Sequence, residues 1–284
     1  MFRYQSDKVL IWTLRIFAVL AGAIVLLIIT FLFLESLPVF KSVGIARFFS
    51  DKSWNPTEGL YNLTPMLAGT LISMAGSVII ATPLGILSAV FCHYYAPPAV
   101  AAVYRRLIEL LAGIPSVVYG FWGLVVLVPL IGKIEPPGPS LLAGIAILTI
   151  MILPTIALMA DSSLANVPKQ YLDAASALGL SRWTTVKNVV FPSAKSGLFT
   201  GVILETGRAI GETMAVLMVC GNIVRIPGSI FDPIRTLTAN IALEMAYATG
   251  DHRSALFVSG LMLTAIIIVL IVAAEAASRG RIYE

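Results

Sequence analysis

Six long apolar runs constrain this chain more than any other feature of its sequence. They cover approximately residues 10–34, 67–95, 107–131, 141–160, 197–220 and 254–276. Each is close to or above the roughly 20 residues that an α-helix needs to cross a bilayer. Of the 284 residues, 58% are hydrophobic and only 12% are charged, which is more apolar surface than a water-soluble domain can bury. The sequence therefore predicts an all-α integral membrane protein with about six transmembrane helices.

The apolar runs leave no room for a separate soluble domain. We therefore predict one transmembrane domain over residues 1–284, with a core at about 67–276. The first run, 10–34, is too long for the apolar region of a signal peptide, so we expect a retained, peripheral anchor helix. The larger share of the 19 lysines and arginines falls in segments on the same side as the N-terminus. This distribution predicts that both termini are cytoplasmic.

The fifth apolar run contains three ionisable residues, Glu205, Arg208 and Glu212. An arginine at the centre of a membrane helix costs about 2.5–3.5 kcal/mol on insertion scales, so such residues usually face a protein interior or a wet path. Spacings of three and four residues place all three side chains on one face of a helix. This face is typical of a translocation path. The alternative is a structural salt bridge that holds the fifth helix to its neighbours.

The connection at about 161–196 has the signals of a helix–turn–helix. Pro168 suits the first turn of a helix, and Gly179 suits the position after its last turn. Ser181 is a suitable N-cap for a second helix, which we expect Pro192 to end. The first of these helices contains small residues, which would let its backbone approach a partner closely.

The same connection carries a specific motif. Asp173, Ala174 and Ala175 are followed at fixed spacing by Gly179, Val189, Phe191 and Pro192. This pattern resembles the EAA loop of bacterial ABC-importer permeases, with Asp in place of Glu, Val in place of Ile and Phe in place of Leu. The resemblance implies a type I permease fold in which this loop is the coupling helix that docks on an ATPase subunit.

A second motif resembles a narrower family. The segment from Arg208 to Thr213, Arg-Ala-Ile-Gly-Glu-Thr, is similar to one in permeases of the phosphate-specific transport system. Trp54-Asn55-Pro56 and the late segment from Leu237 to Met245 resemble the PstC-type subunit more than the PstA-type subunit. The resemblance covers about residues 50–275.

The resemblance implies a set of partners and a location. The chain would pair with a PstA-like permease, two copies of a PstB-like ATPase and an external PstS-like binding protein, in the lipid of a bacterial inner membrane. The connections at about 35–66 and 221–253 would receive the binding protein. No Gly-x4-Gly-Lys-Ser/Thr phosphate loop occurs in the sequence, so we predict no cofactor in this chain and expect ATP and Mg²⁺ to bind the partner ATPase. The chain is therefore not an enzyme on its own.

The charged residues suggest how inorganic phosphate would be recognised. The guanidinium of Arg208 presents a planar fork of donors that matches a phosphate oxyanion. Glu205 and Glu212 would neutralise the arginine in an empty path and be displaced when phosphate arrives. Either carboxylate could also accept a hydrogen bond from protonated phosphate, which fully deprotonated sulfate cannot donate.

Other functions remain open from the sequence. A permease for molybdate or sulfate would share the coupling loop, and an autonomous channel or secondary transporter would share the apolar helices. No metal-ligand spacing or nucleophile triad is present: Cys92 and Cys220 lie far apart, as do His93 and His252, and the sequence has no Cys-x-x-Cys or His-x-x-x-His pattern. The cations are scattered rather than arranged in a stripe, which argues against binding to nucleic acid.

Overall fold

A computed structural model of the chain describes residues 2–279, with the side chains of residues 10–273. The described part is built of α-helices, with one short β-hairpin between the first and second long helices. The helices are α1 (Phe2–Ser42), α2 (Arg47–Ser50), α3 (Thr64–Val90), α4 (Pro98–Ala112), α5 (Ser116–Trp122), α6 (Val128–Gly132), α7 (Leu141–Ala165), α8 (Lys169–Ala177), α9 (Arg182–Thr185), α10 (Phe191–Gly211), α11 (Met214–Val219), α12 (Leu237–Glu244) and α13 (Gly250–Arg279).

Four of the six predicted spans are continuous helices in the described residues. The segments that are long and apolar enough to cross a membrane are Leu10–Ser42, Thr64–Tyr95, Leu141–Ala165 and Gly250–Ala273. The predicted spans at 107–131 and 197–220 are not single helices. A bent pair, Pro98–Ala112 with Ser116–Gly132, would supply a fifth crossing if it acts as one span.

The predicted span at 107–131 is wrong as a continuous helix because the chain turns by 92° between α4 and α5. Pro115 has no backbone N–H, and it disfavours helical geometry at the preceding Ile114. The hydroxyl of Tyr119 donates to the carbonyl of Leu111 at 2.8 Å. The Leu111 carbonyl also accepts from the Ile114 N–H at 3.2 Å, so side chain and backbone on the far side of the bend both bond the last turn of α4.

The predicted span at 197–220 is also broken, at Glu212 and Thr213. Glu212 has extended backbone geometry, with φ −65° and ψ 131°, so α10 ends at Gly211. The Glu212 carboxylate accepts hydrogen bonds from the backbone N–H groups of Thr213 and Ala215, at 3.0 and 3.1 Å. These bonds pair two of the N–H groups at the start of α11. Non-helical backbone at membrane depth is tolerated where such groups are paired within the protein.

The core of the fold is the packing of α3 and α10 on the central helix α7. Side chains of α7 such as Ile147, Leu148 and Ile152 are fully buried. A Cβ added at Gly85 of α3 would lie 2.7 Å from Ile156 of α7, and one at Gly201 of α10 would lie 3.0 Å from Met159. The glycines therefore allow the helix backbones to approach closely.

The β-hairpin pairs Trp54–Asn55 (β1) with Leu60–Tyr61 (β2). It lies against α12 and the start of α13, and we call this end of the molecule the hairpin side. The loop that joins α7 to α8 lies at the end of α7 that is farther from the hairpin side. The helix α1 packs along α13, where the Phe31 and Phe257 rings meet edge to face at 5.6 Å, and the most apolar window of α1 is otherwise unburied in this chain.

Candidate translocation site and coupling loop

The candidate translocation site lies near the end of α10. Glu205 is 7% exposed, and its Oε2 accepts a hydrogen bond of 2.9 Å from the Thr155 hydroxyl of α7. The Nη1 of Arg208 lies 3.8 Å from the same oxygen. At that distance the pair attracts electrostatically without a short hydrogen bond.

Arg208 is the accessible member of the pair. Its side chain is 36% exposed, against 9% for the side chain of Glu205. The neighbouring glycines, Gly207 and Gly211, face open space, since a Cβ added at either would meet nothing within 4 Å. The buried Glu205 carboxylate therefore partly neutralises the guanidinium, while the open space on its other side lets an anion approach.

The structure brings Glu205 and Arg208 together, but not Glu212. The prediction that all three share one helical face is wrong, because α10 ends before Glu212. Within the described residues, the Arg208 ion pair is with Glu205 alone. The carboxylate of Glu212 caps α11 instead, and its backbone carbonyl accepts a hydrogen bond of 2.8 Å from Thr238.

The predicted coupling loop has most of the expected local structure. The helix α8 begins directly after Pro168, and it carries Asp173, Ala174 and Ala175. Gly179 has φ +67°, a left-handed geometry that glycine adopts without steric cost. Ser181 caps α9 by accepting a hydrogen bond from the Thr184 N–H at 3.3 Å.

The prediction that Pro192 ends the second helix is wrong. The chain continues from α9 through a π-helical turn at Val186–Val190 directly into α10, and Pro192 lies in the first turn of α10. Proline is tolerated there because the wider turn before it already interrupts the regular hydrogen-bond ladder. The coupling loop and the helix of Arg208 are thus one continuous helical segment from Arg182 to Gly211.

The surface of the coupling loop is exposed and partly apolar. Ala175 is buried against the rest of the chain, whereas Asp173, Ala174, Gly179 and Pro192 are exposed. Leu178 is 77% exposed, and Tyr171 and Trp183 are at least half exposed. Large apolar side chains on a helical hairpin away from the core are typical of a surface that another protein covers.

A buried polar network on the hairpin side was missed from the sequence. The carboxylate of Glu244 accepts from Trp54 Nε1 at 2.9 Å and from Arg235 Nη1 at 2.7 Å, and it lies 2.8 Å from His252 Nε2. The motifs around Trp54 and from Leu237 to Met245 carry a family resemblance but no signal of this contact. No local spacing indicates that residues 190 positions apart would meet.

The two histidines are not isolated in the fold. His252 contacts Glu244, as above, and His93 Nδ1 lies 3.5 Å from Asp161. Asp161 also receives two hydrogen bonds from Arg105, at 2.9 and 3.0 Å, which hold α4 to α7. Cys92 and Cys220 are buried free thiols.

Comparison with known proteins defines the class. Residues 81–280 match the family model described as "Binding-protein-dependent transport system inner membrane component", and the chain belongs to this family. It is therefore a multi-pass permease component of an ABC importer in the inner membrane, and the predicted family is confirmed.

Relatives and solved structures agree with this class. The probable ABC transporter permease protein YqgH of Bacillus subtilis is 42% identical over 225 residues, which is 77% of this chain and 73% of YqgH. The phosphate transport system permease protein PstC of Mesorhizobium japonicum is 35% identical over 266 residues, 86% of this chain and 81% of that protein.

The fold is that of type I importer permeases. A bacterial alginate ABC transporter, in complex with an alginate-bound periplasmic protein, matches with a TM-score of 0.65 at 15% identity over 93% of both chains. The MetNI methionine ABC transporter, in an inward-facing conformation, matches with a TM-score of 0.59 at 21% identity, over 77% of this chain and 93% of that chain. The predicted fold class is confirmed.

Proposed function

We propose that this chain is one of two permease subunits of an ATP-driven importer of inorganic phosphate. The observation that carries the proposal is the arginine of α10: Arg208 is one-third exposed beside open glycine faces, and the buried Glu205 neutralises it only at 3.8 Å. A guanidinium held in this way can exchange a weak internal partner for a bidentate oxyanion. Relatives named as phosphate transport permeases support phosphate as that oxyanion.

The proposed recognition of phosphate uses Arg208 as the anion ligand and Glu205 as the acceptor of a phosphate proton. Glu205 is anchored by Thr155, so it stays in place while Arg208 turns towards the anion. A fully ionised sulfate would face the Glu205 carboxylate without a proton between them, which disfavours it. Glu212 acts indirectly in this scheme, by fixing the break after Gly211 rather than by pairing with Arg208.

Uptake by the reconstituted complex tests this proposal. Arg208→Lys keeps the charge but loses the planar fork, and we expect phosphate uptake to fall at least tenfold while the complex still assembles. The matched control is Arg253→Lys, an exposed arginine on the hairpin side. Competition by excess sulfate and molybdate checks the substrate. Normal uptake in Arg208→Lys, or inhibition by sulfate as strong as by phosphate, contradicts the proposal.

The coupling loop is proposed to dock the ATPase. A PstB-like ATPase dimer would bind ATP and Mg²⁺, a PstA-like permease would complete the path, and a PstS-like protein would deliver phosphate on the hairpin side. In this arrangement both termini are cytoplasmic. Arg281, one of the basic residues on the N-terminal side in this orientation, lies outside the residues that the structure describes. The continuous helix from Arg182 to Gly211 would transmit ATPase closure to Arg208.

Co-purification tests the docking. Leu178→Asp places a charge on the most exposed apolar side chain of the coupling loop, and we expect it to abolish co-purification of the ATPase. Ile134→Asp, which is 72% exposed at the other end of the molecule, is the matched control and should retain the ATPase. Retention in Leu178→Asp would place the docking surface elsewhere.

A further inference from the structure

We propose that α12 is a lever that connects the β-hairpin to the break between α10 and α11, with Glu244 and Thr238 as its positioning residues. The lever would transmit the arrival of a binding protein on the hairpin side to the backbone beside Arg208. Only the nature of this signal, the arrival of a binding protein, rests on the proposed function. The connection itself follows from hydrogen bonds that join elements far apart in the sequence.

One end of the lever is attached to the hairpin. Trp54 Nε1 donates to Glu244 Oε2 at 2.9 Å, and both residues are buried, at 8% and 7% exposure. His252 of α13 contacts the same oxygen at 2.8 Å. Burial of a carboxylate costs free energy unless the group is paired and hydrogen-bonded. Movement of the hairpin away from α12 would therefore remove one hydrogen-bond partner of Glu244.

The other end of the lever is attached to the break. The Thr238 hydroxyl donates to the backbone carbonyl of Glu212 at 2.8 Å. In the same turn, the N–H of Leu237 donates to the Thr70 hydroxyl of α3 at 3.0 Å. Thr238 and Glu244 are six residues apart on one helix, which spans about 9 Å. A displacement of α12 therefore moves the Thr238 hydroxyl that holds the Glu212 carbonyl.

The network also contains groups for a second arrangement. Arg235 Nη1 donates to Glu244 and to Asn240 Oδ1, and Arg235 Nε donates to the Asn222 carbonyl. Beside these bonds, Asn222 Oδ1 and Asn240 Nδ2 are buried with no partner among the described residues. Asn222 also has φ +56°, a left-handed geometry that is uncommon outside glycine.

The unpaired groups bear on the function of the lever. A buried polar atom without a partner destabilises the arrangement that leaves it unpaired. A shift of the Arg235 guanidinium towards Asn222 Oδ1 would satisfy one orphan and release part of Glu244. Coupling between distant sites requires an element with two such arrangements that both sites can bias.

Hydrogen exchange tests the connection without reference to the substrate. In the assembled complex, Trp54→Phe keeps an aromatic ring in the core but removes the Nε1 donor. We expect the amides of Thr213 and Ala215, which the Glu212 carboxylate holds, to exchange at least about fivefold faster, at the lower end of typical coupling effects. The matched control is Thr57→Val, an exposed hydroxyl in the same hairpin turn. Unchanged exchange at both amides in Trp54→Phe overturns the lever.

Thr238→Val tests the other end of the lever with a change of little volume. It removes the hydroxyl that holds the Glu212 carbonyl, so exchange at the same two amides should rise to a similar extent. Because both variants cut one connection, the double variant should exchange no faster than the faster single variant. Effects that multiply in the double variant would mean two independent structural losses and would overturn the lever.

Stimulation of ATP hydrolysis tests what the lever transmits. We expect Trp54→Phe and Thr238→Val to keep the basal rate of the complex and to lose at least about fivefold of the stimulation by phosphate-loaded binding protein. Full stimulation in both variants overturns the transmission. If the unmodified complex is not stimulated by phosphate-loaded protein, the proposed function fails, while the exchange measurements still decide whether α12 connects the hairpin to the break.

Discussion

Thr155 of α7 donates a hydrogen bond of 2.9 Å to Glu205 of α10, and this bond fixes the buried acid of the candidate site to the central helix. The same carboxylate oxygen lies 3.8 Å from Arg208 Nη1. The acid is therefore held firmly by a neutral donor and only weakly by the cation. This difference in distance leaves the arginine available to another anion.

Removing the anchor should change the site through Glu205. Thr155→Val deletes the donor with little change in volume, so the Glu205 carboxylate would turn towards Arg208 and compete with an entering anion. Hydrogen bonds to charged groups contribute about 1.5–3 kcal/mol, and we expect the phosphate uptake rate to fall by at least an order of magnitude. Thr155→Ser retains the hydroxyl and should retain most uptake. Equal rates for the Val and Ser variants would mean that the bond does not position Glu205.

The position of Glu212 predicts a specific order among its variants. Because its carboxylate accepts from the N–H groups of Thr213 and Ala215, Glu212→Gln keeps an acceptor for the cap, and Glu212→Ala removes it. Loss of a helix cap costs about 0.5–2 kcal/mol, so the Ala variant should lower the thermal unfolding midpoint of the complex more than the Gln variant. A Gln variant as unstable as the Ala variant would show that the charge, rather than the cap, matters.

The sequence predicts the helices, the coupling motif and the family because each depends on local spacing. Four apolar runs became continuous spans, and Gly179 and Ser181 took the expected positions at the ends of α8 and α9. The errors have a common cause. Periodicity extrapolates a helix through Glu212, but the hydrogen bond from Thr238, 26 residues away, helps to hold a non-helical carbonyl that periodicity alone cannot reveal.

The sequence does not predict contacts between distant segments either. The Glu244 network joins Trp54 to residues 190 positions later, and the Thr155 donor to Glu205 lies on another helix. Nothing in the local sequence distinguishes Thr155 from the other hydroxyls of apolar helices, most of which bond their own backbone. The sequence therefore does not predict partners that depend on tertiary packing, whereas it does predict the turn at Gly179 and the cap at Ser181.

Two glycines of α10 predict different effects of the same substitution. A Cβ at Gly201 would meet Met159 of α7 at 3.0 Å, whereas one at Gly207 meets nothing within 4 Å. Gly201→Val should therefore destabilise the chain by about 1–3 kcal/mol, the usual cost of overpacking, and lower its yield and unfolding midpoint. Gly207→Val should leave both unchanged in the isolated chain.

The Gly207 variant also reports on the face beside Arg208. If this face lines a path shared with a second permease, Gly207→Val should reduce phosphate uptake in an assembled complex whose stability is normal. The measurement pairs an uptake rate with a thermal unfolding midpoint for each variant. Equal destabilisation by the two valines, or normal uptake in Gly207→Val, would contradict an open face beside the arginine.

The loop before the hairpin should lose order in acid. The hydrogen bond from Arg47 to Asp51, at 3.0 Å, lowers the pKa of the Asp51 carboxyl, and the N–H of Tyr61 donates to the same carboxylate at 2.9 Å. Arg47 also donates to the carbonyl of Gly59, so one ion pair fixes both ends of the turn. Burial raises the pKa of the Tyr61 phenol, and the nearby charge of Asp251, which accepts a hydrogen bond from the Ser42 hydroxyl, adds to that shift.

The sign of the pH effect follows from the lowered pKa. A carboxyl whose pKa is lower in the folded state stabilises that state above its unfolded pKa, and the stabilisation disappears as the pH falls through the folded value. We therefore expect the protection of the Tyr61 amide against hydrogen exchange, corrected for the intrinsic rate, to be constant near neutral pH and to decrease below about pH 4. In Asp51→Asn the protection should be lower at neutral pH and nearly independent of pH. A wild-type amide that keeps its protection at pH 3 would show that the Asp51 carboxylate does not hold the hairpin.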